Sequence, residues 1–230
     1  MSAEDHPACA ACPVSPAKRV CRQAEGKAPE NCPTRSHEEL KQRALQALKS
    51  PQVFEFARQA SLQEAAGYAD RDRGYAGLHP AKPRIQETVE FAGRMGYRRL
   101  GLVFCAGLVK EAGVVQEILE LNGFEVVSAI CKAGRVPKSE LGLEQSEHID
   151  VFAREEAMCN PVFQAFLLNH YQTELNVLMG LCVGHDSLFL HHSQALCTVL
   201  AVKDRLLGHA PLAAVYTYDS YYRCLKQPLE

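Results

Sequence analysis

The chain has 230 residues, 47% of them hydrophobic and 23% charged, with a formal net charge of −2. These are the values of a globular protein of one ordinary domain plus a short appendage, and the charge gives no reason to expect nucleic acid or an anionic membrane as partner. No apolar run approaches the roughly 20 residues of a spanning helix, and Met1-Ser-Ala-Glu-Asp-His6 lacks a signal-peptide pattern, so a cytoplasmic location with reduced thiols is the expectation.

Residues 1–35 carry cysteine, charge and the prolines Pro7, Pro13, Pro16, Pro29 and Pro33, with no periodic apolar face. A long helix is ruled out there, and the segment lacks the apolar surface to fold without a ligand. It reads as a Cys-rich metal-binding segment, with residues 36–230 forming a helical lead-in and an α/β domain. Ser36 and Glu39 predict a capping box opening a helix to about residue 49. Ser50-Pro51 predicts a restart, with Ser as N-cap and Pro at the first helical position. Residues 70–82, with charge, two Gly and Pro80, read as a connecting loop. A helix over 83–95 should end at Gly96.

Beyond it comes an α/β rhythm. Leu100-Gly-Leu-Val-Phe104 reads as a buried strand, 109–122 as an amphipathic helix closed by Gly123, and 124–130 as a second strand. An irregular polar stretch over 132–156 interrupts the pattern. Asn160-Pro161 starts another helix, 175–183 reads as a third strand, 196–202 as a fourth, and a covering helix is expected from about Pro211. Alternating strands and helices mean a parallel sheet covered on both faces. The expected fold is α/β, a Rossmann-like three-layer core with a parallel sheet, preceded by helices and the Cys-rich segment.

The ten cysteines fall into sets with different logic. Cys9, Cys12, Cys21 and Cys32 lie close enough for one short segment to wrap a single centre. Four thiolates complete a tetrahedral zinc site or an iron–sulfur cluster. The Cys32-Pro33 pair and the wide spacings lean towards a 4Fe-4S cluster, since a zinc ribbon prefers a second Cys-x2-Cys. Unliganded thiols are the remaining alternative.

Cys105 follows the first strand and Cys131 the second, and Cys182 ends the third. In a parallel sheet those ends share one edge, where open α/β folds place ligands. Cys159, just before the helix begun by Asn160-Pro161, can face the same edge. The four are candidate reactive thiols or ligands of a second cluster or metal. The bland alternative is inert core cysteine, one of the most buried residue types, and that reading is preferred for Cys197 and Cys224. His185 is a candidate ligand or proton donor. Gly107, Asn160, Gly184, Asp186 and Ser187 are candidate contacts to a bound group, although Asp186 serves equally well as a helix cap. Lys203-Asp204-Arg205 offers either a cation for an anionic ligand or a solvated loop. No Gly-x-Gly-x-x-Gly follows the first strand and no Walker lysine loop occurs.

With Asn31-Cys-Pro33, Phe91-Ala-Gly-Arg-Met-Gly-Tyr97, Leu102-Val-Phe-Cys-Ala-Gly-Leu108, Met158-Cys-Asn-Pro161, Gly180-Leu-Cys-Val-Gly-His-Asp-Ser-Leu-Phe189 and Val202-Lys-Asp-Arg-Leu-Leu-Gly-His209 in view, the chain resembles an uncharacterised prokaryotic family labelled metal-binding. Members have a shorter spacing between the second and third N-terminal cysteines, so residues 13–20 look like an insertion here. The resemblance implies metal binding and carries over no catalytic role. Three readings follow. The first is an iron–sulfur protein with a redox or sulfur-handling role on a small molecule at the pocket. The second is a zinc-stapled, non-enzymatic module that senses or binds a small molecule or protein. The third is a hydrolase or transferase using one low-pKa cysteine with His185. Oligomeric state is not legible.

Overall fold

Side chains alternate across the first long strand, so that Leu100, Leu102 and Phe104 enter one apolar cluster and Val103 enters another. That period of two is what a sheet covered on both faces requires. A computed structural model describes residues 6–228, so the opening residues 1–5 of the expected Cys-rich segment lie outside the described residues. The chain divides into two compact units, Met1–Leu62 and Gln63–Glu230.

In chain order the helices are α1 (Pro33–Ser36), α2 (Glu38–Leu48), α3 (Pro51–Ala66), α4 (Arg84–Arg94), α5 (Val109–Leu121), α6 (Pro161–His170), α7 (His185–His192) and α8 (Leu212–Tyr216). The strands are β1 (Tyr68–Ala69), β2 (His79–Pro80), β3 (Arg99–Phe104), β4 (Glu125–Ile130), β5 (Leu175–Met179) and β6 (Leu196–Ala201). Strands β3 to β6 form a parallel sheet of order β4-β3-β5-β6, while β1 and β2 make a small antiparallel pair.

The chain steps from β3 outward to β4, then reverses across β3 to β5 and β6. Because parallel crossovers are right-handed, that reversal puts α5 on one face and α6 and α7 on the other. The cores agree: Ala112, Val115 and Leu119 of α5 and Ala92 of α4 pack on Leu100, Leu102, Leu175 and Val177. Ala165 and Leu168 of α6 and Phe189 of α7 pack on Val103, Ala129 and Leu178. Burying each such Leu contributes about 2 kcal/mol. The doubly wound three-layer α/β core is the fold expected from the sequence.

One close approach fixes α6 against the sheet. A Cβ on Gly101 would collide with the Asn176 Oδ1 and Leu168 side-chain atoms. Asn176 is fully buried and bonded to Thr173 Oγ1 at 2.7 Å and Ser193 Oγ at 2.8 Å, so the polar group that needs this space is itself satisfied.

Several local expectations change. Ser36 closes α1 and does not cap α2, whose N-cap is His37; the Ser36 hydroxyl donates to Cys32 O at 2.9 Å because Cys32-Pro33 starts a turn earlier. The Ser50 hydroxyl turns back to Ala47 O at 2.9 Å. The third long strand stops at Met179, since Gly180 takes φ +67. The C-terminal helix is short and has no buried residue. The capping box that does form joins Glu144 and Glu147, inside the stretch expected to be irregular.

Candidate functional site

In a doubly wound sheet the crevice opens at the carboxyl ends of the strands where the order reverses, here between β3 and β5. Hydrogen bonds continue past the strands and tie the cysteine-bearing segments together. Cys105 N donates to Met179 O at 3.2 Å and Cys131 N to Phe104 O at 2.9 Å. The stretch over 132–156 folds back so that Pro137 bridges Ala157 antiparallel, and Met158 N donates to Val136 O at 2.8 Å. Asn160 N then donates to Cys131 O at 2.8 Å, which delivers Cys159 to the end of β4. Asn160 also caps α6, its Oδ1 accepting from Phe163 N at 2.9 Å.

The result brings Cys105, Cys131, Cys159, Cys182 and His185 together around a tightly packed point too small to hold a water molecule, with Pro161, Gln164 and Leu181 completing the wall. The Cys131 and Cys159 sulfurs share a hydrogen bond at 3.7 Å, and Ala106 N donates to the Cys131 sulfur at 3.3 Å. When Cys159 ionises, the proton left in the pair sits on Cys131 and points at the thiolate. That bond, helped by the Lys132 ammonium, brings the Cys159 thiol down to about 7. The same bond, with burial, pushes the Cys131 thiol up. Burial lowers the His185 imidazole below its usual range and so favours its neutral form, against the pull of Asp186. Arg205 Nη2 donates to the Cys182 sulfur at 3.0 Å.

Two buried polar atoms at this cluster have no hydrogen-bond partner, His185 Nδ1 and Gln164 Oε1. Gln164 is fully buried, and its Nε2 donates to Ala129 O at 2.7 Å and Phe104 O at 3.4 Å, at the ends of β4 and β3. Sequence reasoning missed it. The signal was a lone amide among apolar residues in Pro161-Val-Phe-Gln-Ala-Phe-Leu-Leu168. The remaining candidates stand beside the cluster. Gly107 lies under Lys203, Gly184 is the N-cap of α7 with φ +83, and the Asp186 carboxylate accepts from Ser187 N at 2.8 Å. Asp186 therefore lies inside the first turn of α7 and not at its cap.

The N-terminal set shares a cavity. Cys9, Cys12, Cys21 and Cys32 line a space of about 250 Å³ with Arg19, Lys27, Asn31 and several prolines. Backbone and arginine contacts shape it: Val20 N donates to Lys27 O at 3.0 Å, Arg19 Nε to Val14 O at 2.8 Å and Arg35 Nη2 to Gly26 O at 3.1 Å. Gly26 is the buried residue of this loop; a Cβ there would collide with the Arg19–Val20 backbone.

Cys197 and Cys224 belong to neither set. Cys197 donates to Ser193 Oγ at 3.3 Å and packs on the second core cluster, and Cys224 is exposed. Among the described residues no three His, Cys, Asp or Glu side chains stand grouped as a coordinated metal holds its ligands. The donor chemistry still discriminates. Both linings offer thiols and no carboxylate, which suits zinc or iron–sulfur and not a hard cation.

Fold and site together define a doubly wound parallel α/β protein with a thiol-lined crevice at its switch point. The chain belongs to the protein family of unknown function DUF1847, whose profile matches residues 32–200. That span holds Cys32 and all four crevice cysteines. The chain is also similar to an uncharacterized protein of Methanocaldococcus jannaschii, 37% identical over 180 residues, 77% of this chain and 86% of the relative. Among the described residues no helix is long and apolar enough to cross a membrane.

Proposed function

We propose that the chain is a cytoplasmic thiolate metalloprotein with a redox or sulfur-handling role. In this reading Cys9, Cys12, Cys21 and Cys32 hold an iron–sulfur cluster. Cys105, Cys131, Cys159 and Cys182 hold a second metal or cluster, or react as thiols on a small molecule. The carrying observation is that eight of the ten cysteines sort into two clusters of four. The orphaned His185 Nδ1 and Gln164 Oε1 add support, because buried polar atoms are rarely left without a partner. An iron–sulfur cluster would supply one-electron transfer. The chain's own groups would ligate it, exclude water through Leu181 and Pro161, and hold His185 neutral beside it.

A second reading has one observation in its favour. The four N-terminal thiols line one cavity with no carboxylate beside them, a donor set that suits a structural zinc as well as a cluster. A zinc-stapled module that binds or senses a small molecule or protein is the alternative. Anaerobic purification of the full chain, with iron, zinc and acid-labile sulfide measured, decides between them. The comparison requires two variants, each replacing one cysteine set by serine. Iron with sulfide, lost in part by each variant, supports two centres. Colourless protein with zinc lost only in the N-terminal variant leaves the stapled module.

A further inference from the structure

Beside the crevice lies a concentration of positive charge that the thiols alone do not explain. Lys203 follows β6 and is half-buried. Its ammonium sits 3.6 Å from the point a Gly107 Cβ would occupy, and its stem crosses Gly180 at 3.7 Å from the corresponding point. It forms no ion pair or hydrogen bond among the described residues. Arg205, two residues on, has the Cys182 sulfur as its hydrogen-bonded partner and no carboxylate among the described residues. The turn from Gly180 to Gly184 leads from β5 into α7. The amide N–H groups of Cys182, Val183 and Gly184 there have no acceptor among the described residues.

The nearest carboxylates on these segments are already engaged. Asp204 Oδ1 accepts from Leu206 N at 3.0 Å and Leu207 N at 2.8 Å, and Asp186 from Ser187 N. Cations with no carboxylate partner beside a run of free amides, at the carboxyl edge of a parallel sheet, are the setting in which α/β folds bind anions.

We propose that Lys203, Arg205 and the Gly180–Gly184 turn form a subsite for a small tetrahedral oxyanion beside the second thiol cluster. Lys203 reaches it from one side over the side-chain-free surface of Gly107. Arg205 reaches it from the other, where its contact with Cys182 would set the anion next to a sulfur. A sulfur oxyanion and the phosphate group of a larger cofactor share this chemistry. The subsite does not require a metal among those thiols, so it stands or falls separately from the metal reading.

The test is calorimetric titration of the full-length protein under anaerobic conditions, metal-free and metal-loaded, with inorganic phosphate and, separately, thiosulfate. Lys203→Met, Arg205→Met and the double variant are run beside it, with circular dichroism and metal content as controls. Saturable one-to-one binding is expected, weakened about tenfold by each single substitution, as the loss of one charge-assisted contact implies. It should also weaken with added sodium chloride, while metal content is unchanged. Preference for thiosulfate assigns the site to a sulfur anion, and preference for phosphate to a phosphoryl group; either upholds the subsite. Absence of saturable binding in the wild type, or equal binding by the double variant, overturns it. A wild type that binds anion but carries no metal removes only the cluster.

Discussion

The two thiol clusters differ in what holds them together. The N-terminal one is bounded by 3-10 turns, an arginine-laced loop and prolines, in a segment with Gly26 as its buried residue. The second is walled by the ends of β3 and β4, by the turn after β5 and by the start of α6, behind two apolar clusters. In the first, loops without an apolar core of their own leave about 250 Å³ open for a ligand that would hold them together. In the second, the fold itself brings the thiols together without room for a water molecule, so a ligand would have to part them.

The strongest way to break that contrast is to strip the metal proposed for the N-terminal set, by chelation or by Cys12→Ser with Cys21→Ser. Structural thiolate metals contribute on the order of 10 kcal/mol to small segments. Amides over 9–36 should therefore pass from protected to freely exchanging while those of β3 and β5 stay protected. Hydrogen-exchange mass spectrometry reads this directly, and unchanged protection over 9–36 would remove the metal-built account.

Gly101→Ala attacks the second cluster through its scaffold. Its methyl would drive α6 away from the sheet at Asn176 and Leu168, lowering stability by about 3 kcal/mol. Chemical denaturation measures the loss. A change below about 0.5 kcal/mol would mean that the close approach relaxes freely.

A smaller effect touches neither cluster. Glu90 accepts hydrogen bonds from Lys82 at 2.6 Å, Gln63 at 2.9 Å and Gln86 at 2.9 Å, which hold its carboxyl at about 2, well under the usual range. A carboxylate held low stabilises the fold above its unfolded pKa, and the contribution disappears as pH falls from about 4.5 towards 2. Glu90→Gln should cost about 1 kcal/mol at neutral pH after screening at this partly exposed site, and should flatten the acid limb of the stability curve. An unchanged acid limb in the variant would assign that limb to other groups.

The smallest perturbation concerns rate and not stability. In metal-free, reduced protein Cys159 should be alkylated with a midpoint near pH 7, and Cys131→Ser should move that midpoint upward by removing the thiol that donates to it. Peptide mapping after timed iodoacetamide treatment shows whether Cys159 reacts ahead of Cys105 and Cys182. Equal rates would place its ionisation with ordinary thiols.

What the sequence made legible was periodic. The four long parallel strands, α4, α5 and α6 follow from apolar spacing and from punctuation such as Asn160-Pro161, Gly96 and Gly123. That Cys105, Cys131 and Cys182 share one edge follows from strand direction alone. What stayed hidden depends on contacts between residues far apart in the chain. The β1–β2 pair has two residues in each strand, too few for a pattern. The fold-back that carries Cys159 inward rests on backbone pairing of residues 136–138 with 156–158, where Val-Pro-Lys faces Glu-Ala-Met and no alternating apolar pattern announces a strand. Gln164 looks like a helix residue until the ends of β3 and β4 are seen to need its amide. The role of Ser36 was misread because Cys32-Pro33, one turn earlier, competes for the same helix start.

Arg84, at the start of α4, has a consequence for how copies of the chain behave towards one another. Its guanidinium donates to Val199 O at 2.7 Å and Thr198 Oγ1 at 3.0 Å on β6, the outermost strand on that side of the sheet. An outer strand with free carbonyls is a template on which another molecule can add its own backbone. With Val199 O occupied by a bulky charged group, that stretch of the edge is closed to another backbone. A chain with alanine at this position should self-associate at concentrations where the natural one stays dispersed.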